Sequence, residues 1–549
     1  MSAPIQPALG PPGDEVPPAA PPFPGAPFPG APVPGASAQG VSAPGAPARL
    51  VETHTSVLVF LADRVYKVKK PADLGFLDFR SREARREACA AEVALNRRLA
   101  PDVYLGVADV TGPDGELCDH MVVMRRLPAE RRLATLVRSG AGVAGELRDV
   151  ARLIASFHSR CETSEEITAA GGEEVLRGLW DEGVAGVAPF RGGPLTGAVV
   201  DEIERLAARY LDGRAPLLRE RQRAGLVRDG HGDLLAEDVF CLDDGPRVLD
   251  CLEFDQRLRV GDVLGDVAFL AMDLERLGRP DLASAFITAY REFSGETHPR
   301  SLEHFYVAYR AFVRCKVACV RHAQGAADQA EQARSLAALA LSRLRRGRVR
   351  LILVGGLPAS GKSTLAAGLA AAEDWTVLRS DVIRKELAGL PATVSAAAPP
   401  GEGIYTPAAS DALYEEMIRR AGVALERGET VVLDASWSSR AWRRRAAARA
   451  TAAGADVVQL RCAVSPEIAL ARIADRSRSR SGTAGGVRSG TSGGVDGRAD
   501  AGADGGVSDA TAPVLYDMAR RADPWPEATT VFTTGSVSNT LHTARRAVS

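Results

Sequence analysis

A glycine-rich segment at the start of the last third of the chain has the spacing G-x-x-x-x-G-K-S. It follows the apolar run 351–354 and precedes an Ala/Leu-rich stretch, the order in which a strand leads through a loop into a helix. In such a loop, backbone N–H groups and the helix N-terminus hold phosphate oxygens, Lys362 reaches the β/γ oxygens and Ser363 ligates Mg²⁺. The residues predicted to bind a nucleotide here are Gly356, Leu357, Pro358, Ala359, Ser360, Gly361, Lys362, Ser363 and Thr364.

Two acidic residues follow other apolar runs of the same region. Asp434 comes directly after the predicted strand Thr430 to Leu433, where a carboxylate can join the Mg²⁺ shell. Asp381 comes after the predicted strand Thr376 to Arg379, on the acceptor side of the γ-phosphate, where a base must take the substrate hydroxyl proton. We predict Asp434 as a metal ligand and Asp381 as the base; the alternative for Asp381 is a helix N-cap before Val382.

Two arginines, Arg472 and Arg476, lie one helical turn apart further along the chain. Guanidinium groups at such positions can stabilise the charge that spreads over a transferring phosphoryl group. The alternative is a solvated helix face. We therefore treat both arginines as candidate catalytic residues.

A second set of carboxylates lies in the middle of the chain. His231-Gly232-Asp233 follows an apolar pair, Asp238 comes five residues later, and Asp250 ends the next predicted strand. Kinase-like phosphoryl transfer needs one carboxylate to take the acceptor proton, a polar side chain a few positions on for a metal, and a second carboxylate holding Mg²⁺. By spacing, Asp233 is the predicted base, and Asp238 and Asp250 are the predicted metal ligands.

A lysine upstream completes this second set. Lys67 lies in the predicted strand Arg64 to Val68 and can bind the α/β-phosphates, with Glu92 of a charged helix as its ion-pair partner. Lys69 lies on the same strand face and is the second candidate. The alternative is a solvated basic run.

The elements that must position these residues predict a mixed α/β and α+β chain. Residues 1–47 hold 15 of the 34 prolines and predict a disordered arm, either an inert tail or a segment for a protein partner. Residues 50–345 predict a small β-rich lobe followed by helices, and residues 348–549 alternate strands and helices, which indicates a parallel sheet. A Ser/Gly/Arg/Asp-rich stretch, 477–507, predicts a flexible insertion in this last domain.

Both domains resemble known kinases. The segments GLPASGKS, SDVIRKEL, VVLDASW and ALARIADR resemble the small phosphate-loop kinases related to gluconate kinase, polynucleotide kinase and the zeta-toxin group. The segments HGDLLAED, VLDCLEFD and GDVLGDVA resemble the aminoglycoside phosphotransferase family, which has a bilobal kinase-like fold. The whole chain is similar to fusions of the two, and this resemblance implies ATP and Mg²⁺ as cofactors.

Carried over residue by residue, the second resemblance implies that Asp233 is the base, that Asp250 is the principal Mg²⁺ ligand, and that Asp262 and Asp266 support the loop. Asp238 departs from the family, which has Asn at this position. An Asp can bind Mg²⁺ but adds a negative charge beside two other carboxylates.

The composition limits which binding partners and which cellular compartment the sequence predicts. The net charge of −1 provides no overall field that would attract nucleic acid or an anionic membrane. No C-x-x-C pair, secretory signal or apolar run of 18 residues is present, which predicts a cytoplasmic protein.

The leading hypothesis is a Mg-ATP-dependent phosphotransferase that acts on a hydroxyl of a small molecule. The alternative makes the middle domain a degenerate kinase that binds a ligand or partner and regulates the C-terminal ATPase; Asp238 and the missing G-x-G-x-x-G motif favour it. A nucleic-acid end kinase is a third hypothesis, which the balanced charge argues against.

Overall fold

The structure is a computed structural model that describes residues 48–53, 55–72, 78–391, 394, 401–482 and 511–548. The predicted arm, 1–47, and residues 483–507 of the predicted insertion lie outside the described residues. The chain divides into two compact units. The first holds the described residues up to Arg97, with Pro101–Leu127 and Val317–Ala330, and the second holds the rest.

The first unit is built on a five-stranded antiparallel sheet with the strand order β1-β2-β3-β5-β4. Its α-helix, α1, begins after Ser81, whose Oγ accepts a hydrogen bond from the Ala84 N–H at 3.1 Å. The elements are β1 Arg49–Glu52, β2 Ser56–Leu61, β3 Arg64–Lys69, α1 Arg82–Asn96, β4 Tyr104–Thr111 and β5 Leu117–Arg125.

The kinase-like part of the second unit is mostly helical. Two short antiparallel strand pairs, β6 with β9 and β7 with β8, interrupt the helices. The His231-Gly232-Asp233 segment lies between β6 and β7 in the chain. The elements are α2 Leu133–Arg138, α3 Ala144–Arg160, α4 Glu165–Ala169, α5 Glu173–Val187, α6 Gly197–Leu211, α7 Ala215–Arg223, β6 Val227–Asp229, β7 Val239–Leu242, β8 Gly245–Val248, β9 Val260–Asp262, α8 Val263–Arg276, α9 Pro280–Ser294, α10 Arg300–Ala323 and α11 Gln329–Arg346. The end of α10 from Val317 and the start of α11 up to Ala330 belong to the first unit.

The C-terminal part of the second unit is a five-stranded parallel sheet with the order β11-β12-β10-β13-β14. Helices flank it, and the central strands are fully buried because they are runs of Val, Ile and Leu. The elements are β10 Arg350–Gly355, α12 Lys362–Glu373, β11 Thr376–Arg379, α13 Ser380–Leu387, α14 Pro407–Glu426, β12 Val431–Asp434, α15 Arg440–Ala452, β13 Asp456–Ala463, α16 Pro466–Gly482, α17 Ala512–Arg521, β14 Thr529–Phe532 and α18 Val537–Val548.

This architecture confirms the predicted fold class. The strands that the sequence predicts at 351–355, 376–379, 430–433, 457–461 and 529–532 coincide with β10 to β14 within two residues at each end. The predicted flexible insertion needs one correction: residues 477–482 continue α16 as helix. The predicted domain boundary at 345–348 falls between α11 and β10 and stays a prediction. No helix in the described ranges is long and apolar enough to cross a membrane.

Candidate active sites

The glycine-rich loop joins β10 to α12 and has the backbone that such a loop requires. Gly356, Ala359 and Gly361 have φ angles of 133°, 61° and 85°. A Cβ on Gly356 would come within 2.5 Å of the Cys462 carbonyl oxygen, so only glycine fits there. The loop leads directly into the first turn of α12, which begins at Lys362.

Residues distant in sequence brace this loop. The Thr533 hydroxyl donates to the Ser360 carbonyl at 2.7 Å, and the Gly356 N–H donates to the Ser436 carbonyl at 3.1 Å. Arg472 donates to the Ala359 carbonyl at 3.1 Å and to the Thr533 carbonyl at 2.7 Å. These hydrogen bonds hold the backbone of the loop in place.

The structure therefore shows Arg472 as a support of the loop, and its contact with a phosphoryl group stays a prediction. The backbone of Arg476 lies in α16, and its side chain is not among those described. The supporting role of Thr533 has no signal in the sequence, because its contact joins the end of β14 to a loop about 170 residues earlier.

Lys362, Ser363 and Asp434 lie together at the carboxyl ends of β10 and β12. The Lys362 Nζ donates to the Leu357 carbonyl at 2.9 Å, across the loop. The Ser363 hydroxyl lies near the Asp434 carboxylate. Burial raises the pKa of Asp434, while the Lys362 ammonium and the Ser363 hydroxyl oppose this shift. The predicted pair of metal ligands, Ser363 and Asp434, is thus brought together by adjacent parallel strands.

Asp381 lies in the first turn of α13, which begins at Ser380. It is not the N-cap, because that position falls on Arg379. The Asp381 carboxylate is close enough to raise the pKa of Asp434 through charge repulsion. The structure therefore places the predicted base beside the predicted metal ligand.

One cavity of about 780 Å³ contains the side chains of Lys362, Ser363, Asp381, Asp434 and Arg472. Its far wall holds polar groups that the sequence analysis missed, namely Arg384, Tyr405, Ser410, Tyr414, Ser436, Asp517 and Arg521. These residues come from α13, the turn before α14, α14 itself, the loop after β12 and α17.

Arg384 is fixed within that wall. It donates to the Ile404 carbonyl at 2.8 Å and to the Ser410 hydroxyl at 3.2 Å, and its guanidinium lies 4.9 Å from the centre of the Tyr405 ring. Such a fixed guanidinium can hold a polar substrate opposite the nucleotide. The SDVIRKEL segment contained this residue, and its spacing of three from Asp381 on one helical face was the available signal.

The site fits a nucleotide with Mg²⁺. The Ser360 Oγ is buried and has no hydrogen-bond partner among the described residues, which suits a group that completes its bonding when an anion enters the loop. A hydroxyl and a carboxylate oxygen, from Ser363 and Asp434, are the donor types that Mg²⁺ prefers.

In the kinase-like part, the buried carboxylate of Asp266 holds the His231-Gly232-Asp233 loop. The backbone N–H groups of His231 and Gly232 donate to Asp266 at 2.6 and 2.8 Å. Burial acts to raise the pKa of Asp266, but the hydrogen bond and charge of His158 outweigh it and hold that pKa well below its usual range. Asp266 supports the loop, as the resemblance implied.

Asp262 and Asp273 extend this support. Asp262 caps α8 by accepting from the Leu264 N–H at 2.9 Å and forms a buried ion pair with Arg221. Asp273, which the sequence analysis missed, accepts from the Ala236 N–H at 3.0 Å, three residues beyond the predicted base. Asp266 and Asp273 of α8 thus bond directly to the loop and the residues after it, and Asp262 anchors the start of α8.

The His231 imidazole is neutral, and its two ring nitrogens fix the orientation of the loop. Burial lowers its pKa, its Nε2 lies 3.1 Å from the Leu249 carbonyl, and its Nδ1 lies 3.3 Å from the Asp233 N–H. A neutral ring with the proton on Nε2 satisfies both contacts, donating to Leu249 and accepting from Asp233. The imidazole thus positions the predicted base rather than taking a proton.

Removal from water raises the pKa of Asp233 to about 6, with repulsion from Asp250 acting in the same direction. Arg314 opposes the shift; its Nη1 lies 3.9 Å from the carboxylate. The Asp233 side chain keeps 31% of its surface exposed, which is what a base that reaches a substrate needs. Arg314 lies on α10 and could not be found from sequence spacing.

The β7–β8 hairpin brings the two predicted metal ligands of this part together. Asp238 precedes the hairpin and Asp250 follows it, and the Leu249 N–H donates to the Asp238 carbonyl at 2.9 Å. Asp250 is exposed and has a φ angle of 64°, a left-handed backbone that is rare for a residue other than Gly. The binding of Mg²⁺ by Asp238 and Asp250 stays a prediction.

In the first unit, Lys67 and Lys69 of β3 both bind Glu92 of α1. The Lys67 Nζ lies 2.8 Å from Oε1 and the Lys69 Nζ lies 2.6 Å from Oε2. Lys69 and Glu92 are buried, whereas 12% of the Lys67 side chain is exposed. The predicted pair therefore exists, and Lys67 is the lysine of the two with more access to solvent.

Two family models match the chain. Residues 61–305 match the phosphotransferase enzyme family, and residues 351–487 match an AAA domain family. These matches, with the observed fold, confirm the predicted fusion and define a phosphotransferase-type domain followed by a phosphate-loop domain.

Relatives extend over both domains. The chain is 38% identical over 504 residues to the uncharacterized protein Rv2004c of Mycobacterium tuberculosis, covering 90% of this chain and 95% of that protein. The same values hold for the uncharacterized protein Mb2027c of Mycobacterium bovis. The chain belongs to the family that these mycobacterial proteins represent.

Solved structures resemble each part weakly. A gluconokinase from Sinorhizobium meliloti 1021 is 14% identical with a TM-score of 0.24, covering 37% of this chain and 96% of its own. The GDP complex of wild-type aminoglycoside 2'-phosphotransferase-IIIa is 14% identical with a TM-score of 0.34, covering 54% of this chain and 93% of its own. The assignment of the fold rests on strand topology and the family matches.

Proposed function

We propose that the C-terminal domain is a Mg-ATP-dependent kinase that transfers the γ-phosphoryl group to a hydroxyl of a small molecule. The observation that carries this proposal is the single cavity shared by the loop lysine, the Ser363–Asp434 pair and Asp381. A cavity of about 780 Å³ has the size typical of a site for a nucleotide and a small substrate.

The reaction follows from the roles of these residues. The acceptor oxygen attacks the γ-phosphorus, the bond from that phosphorus to the bridging oxygen of ADP breaks, and Asp381 takes the hydroxyl proton. Lys362 binds the β/γ oxygens and balances their charge as the bridging oxygen leaves. Bound Mg²⁺, held by Ser363 and Asp434, would neutralise phosphate charge. Arg384 and the Tyr405 ring hold the acceptor.

The kinase-like domain is a second candidate phosphotransferase site. The observation that favours it is the carboxylate of Asp233, which is held by a well-supported loop and is partly open to solvent. The alternative is a degenerate domain that binds a ligand or partner and regulates the C-terminal site, for which Asp238 remains the argument.

The test is Mg-ATP turnover by the full chain across a panel of hydroxyl acceptors. Lys362→Met should lower turnover by about 10²-fold or more, because it removes charge stabilisation in the transition state. Asp381→Asn should lower kcat by about 10²- to 10⁴-fold with little change in ATP affinity, since only proton transfer is lost. Lys316→Met and Asp411→Asn, which lie outside the cavity, are the matched controls.

The outcome for Asp233→Asn separates the two readings of the middle domain. A product peak that disappears only with this variant establishes a second active site. Unchanged product in Asp233→Asn, with all product lost in Lys362→Met, supports the regulatory reading. Full turnover in both Lys362→Met and Asp381→Asn contradicts the proposed function.

A further inference from the structure

A second and larger cavity, of about 1400 Å³, lies within the second unit and apart from both candidate active sites. Its walls come from the start of α10, the end of α11, the loop into β10, the turn after α14 and the end of α18. We call it the arginine cavity because its lining has ten arginines against five carboxylates: Arg291, Arg300, Arg334, Arg343, Arg345, Arg346, Arg348, Arg350, Arg427 and Arg545 with Glu220, Glu303, Glu373, Asp374 and Glu429.

Several of these arginines have structural partners. Arg343 pairs with Glu275 and donates to His304 Nδ1 at 2.8 Å, and Arg348 pairs with Asp456 at 2.6 Å. Arg427 and Arg545 use two of the five lining carboxylates, Glu220 and Glu373. These pairs account for part of the positive charge and for the shape of the cavity.

Three further arginines are not neutralised in this way. Within the described ranges, no carboxylate lies within 4 Å of the guanidinium groups of Arg300, Arg346 or Arg350. Arg350 is 7% exposed, and its guanidinium contacts the Arg348 and Arg345 carbonyls while its Nε has no acceptor among the described residues. A buried cation without a carboxylate is costly unless an anion joins it.

The pKa values of two neighbouring groups are shifted by the same excess of positive charge. Burial lowers the pKa of Arg343 to about 10, and repulsion from Arg346 adds to the shift. Burial lowers the pKa of His304 to about 4; Glu303 opposes the shift, and the charges of Arg300 and Arg346 add to it. His304 is therefore neutral and adds no further positive charge to the cavity.

We propose that the arginine cavity binds a small molecule that carries contiguous phosphate groups. Arginine forks match phosphate oxygens in pairs, and several forks around one space suit a chain of phosphates better than a single anion. The volume exceeds what one phosphate needs and admits a nucleoside polyphosphate. Trp375 and Leu341 provide apolar surface in the same lining.

The cavity is built by both functional parts of the second unit, since α10 and α11 belong to the kinase-like part and β10 and α18 to the phosphate-loop domain. A ligand there touches neither Lys362 nor Asp233. Its binding is therefore separable from turnover at the candidate active sites.

The test is calorimetric titration of the full chain with inorganic tripolyphosphate in EDTA. All proteins carry Lys362→Ala, and the absence of Mg²⁺ further weakens binding at the two nucleotide sites. Arg300→Gln with Arg346→Gln should lower the affinity at least tenfold. Arg321→Gln with Arg444→Gln removes the same charge from exposed positions outside the lining and should change it less than twofold.

ATP in EDTA is the second titrant, and it should compete with tripolyphosphate; the tighter of the two tells whether a nucleotide or an inorganic chain is the better ligand. Equal affinities in the cavity variant and the charge control overturn the proposal, as does tighter binding of a single-stranded oligonucleotide. If the double variant does not fold, Arg346→Gln alone, at an exposed position, is expected to lose several-fold affinity.

Discussion

Asp233 shows how one residue combines support and chemistry. Its backbone is fixed through His231 and Asp266, while its carboxyl faces Arg314 and keeps partial exposure. The pKa of about 6 leaves it mostly ionised at neutral pH and still close to the pKa of a useful proton acceptor. The same shift has a consequence for stability.

The folded-state pKa of Asp233 lies above its ordinary value of 3.8, so ionisation costs stability in the folded protein. This loss of unfolding free energy reaches its full size above about pH 6 and vanishes below about pH 3.8. Asp233→Asn should therefore raise the unfolding temperature at pH 8 and leave it unchanged at pH 3.5. Any turnover that depends on Asp233 should fall about tenfold per pH unit below 6.

The control for this prediction is Asp243→Asn, a fully exposed position in the β7–β8 hairpin, which should shift neither readout. Melting curves of the three proteins across pH 3.5 to 8 make the comparison. A stabilising effect that is as large at pH 3.5 as at pH 8 would contradict a raised pKa for Asp233.

At the scale of elements, helix α7 is attached to the start of α8 by one arginine. Arg221 is buried and bonds to both oxygens of Asp262, the N-cap of α8, and also to Glu296. Burial acts to raise the pKa of Glu296, but His298 and Arg221 outweigh it and lower this pKa to about 2. Removing the arginine would leave the buried Asp262 carboxylate without its cation and leave Glu296 with the His298 imidazole as its partner.

Arg221→Met should therefore cost about 3–5 kcal/mol of unfolding free energy near neutral pH. Arg223→Met, two residues along the same helix and exposed, should change it by less than about 0.5 kcal/mol. Urea unfolding at pH 7 measures both. Equal midpoints for the two variants would show that the buried network does not carry this stability.

Elements with strong local signals could be predicted from the sequence. β10 to β14 were predictable because each is a short apolar run, and the loop at Gly356 was predictable because its glycines meet a backbone requirement. The lengths of helices with polar ends were less predictable: α16 continues to Gly482 through residues that have no apolar periodicity.

The missed residues share a physical reason. Thr533, Asp273 and Arg314 act through contacts with residues 173, 37 and 81 positions away, and each has an ordinary local environment in the sequence. Asp381, Asp434 and Asp233 were predictable because strand ends and loop spacing place them. The sequence thus predicts the candidate reacting groups, and only the tertiary structure shows which residues hold them in place.

At the scale of the whole molecule, the kinase-like helices and the phosphate-loop domain share a tightly built interface inside the second unit. Arg214 is fully buried and donates to the Leu425 carbonyl and, at 3.0 Å, to the Ala453 carbonyl. A Cβ on Gly213 would come within 2.0 Å of the Ala453 carbonyl oxygen, so the two backbones approach as closely as glycine allows.

This interface should couple the unfolding of the two parts. Calorimetry of the parent should show the phosphate-loop domain and helices α6 to α11 melting in one transition, because separating them breaks the hydrogen bonds that the buried Arg214 guanidinium donates to the Leu425 and Ala453 carbonyls. Arg214→Met should split this transition and lower its first part by several degrees. Arg205→Met, on the exposed face of α6 and paired with Glu202, should leave it single. A single, unshifted transition in Arg214→Met would mean that apolar packing alone joins the two parts.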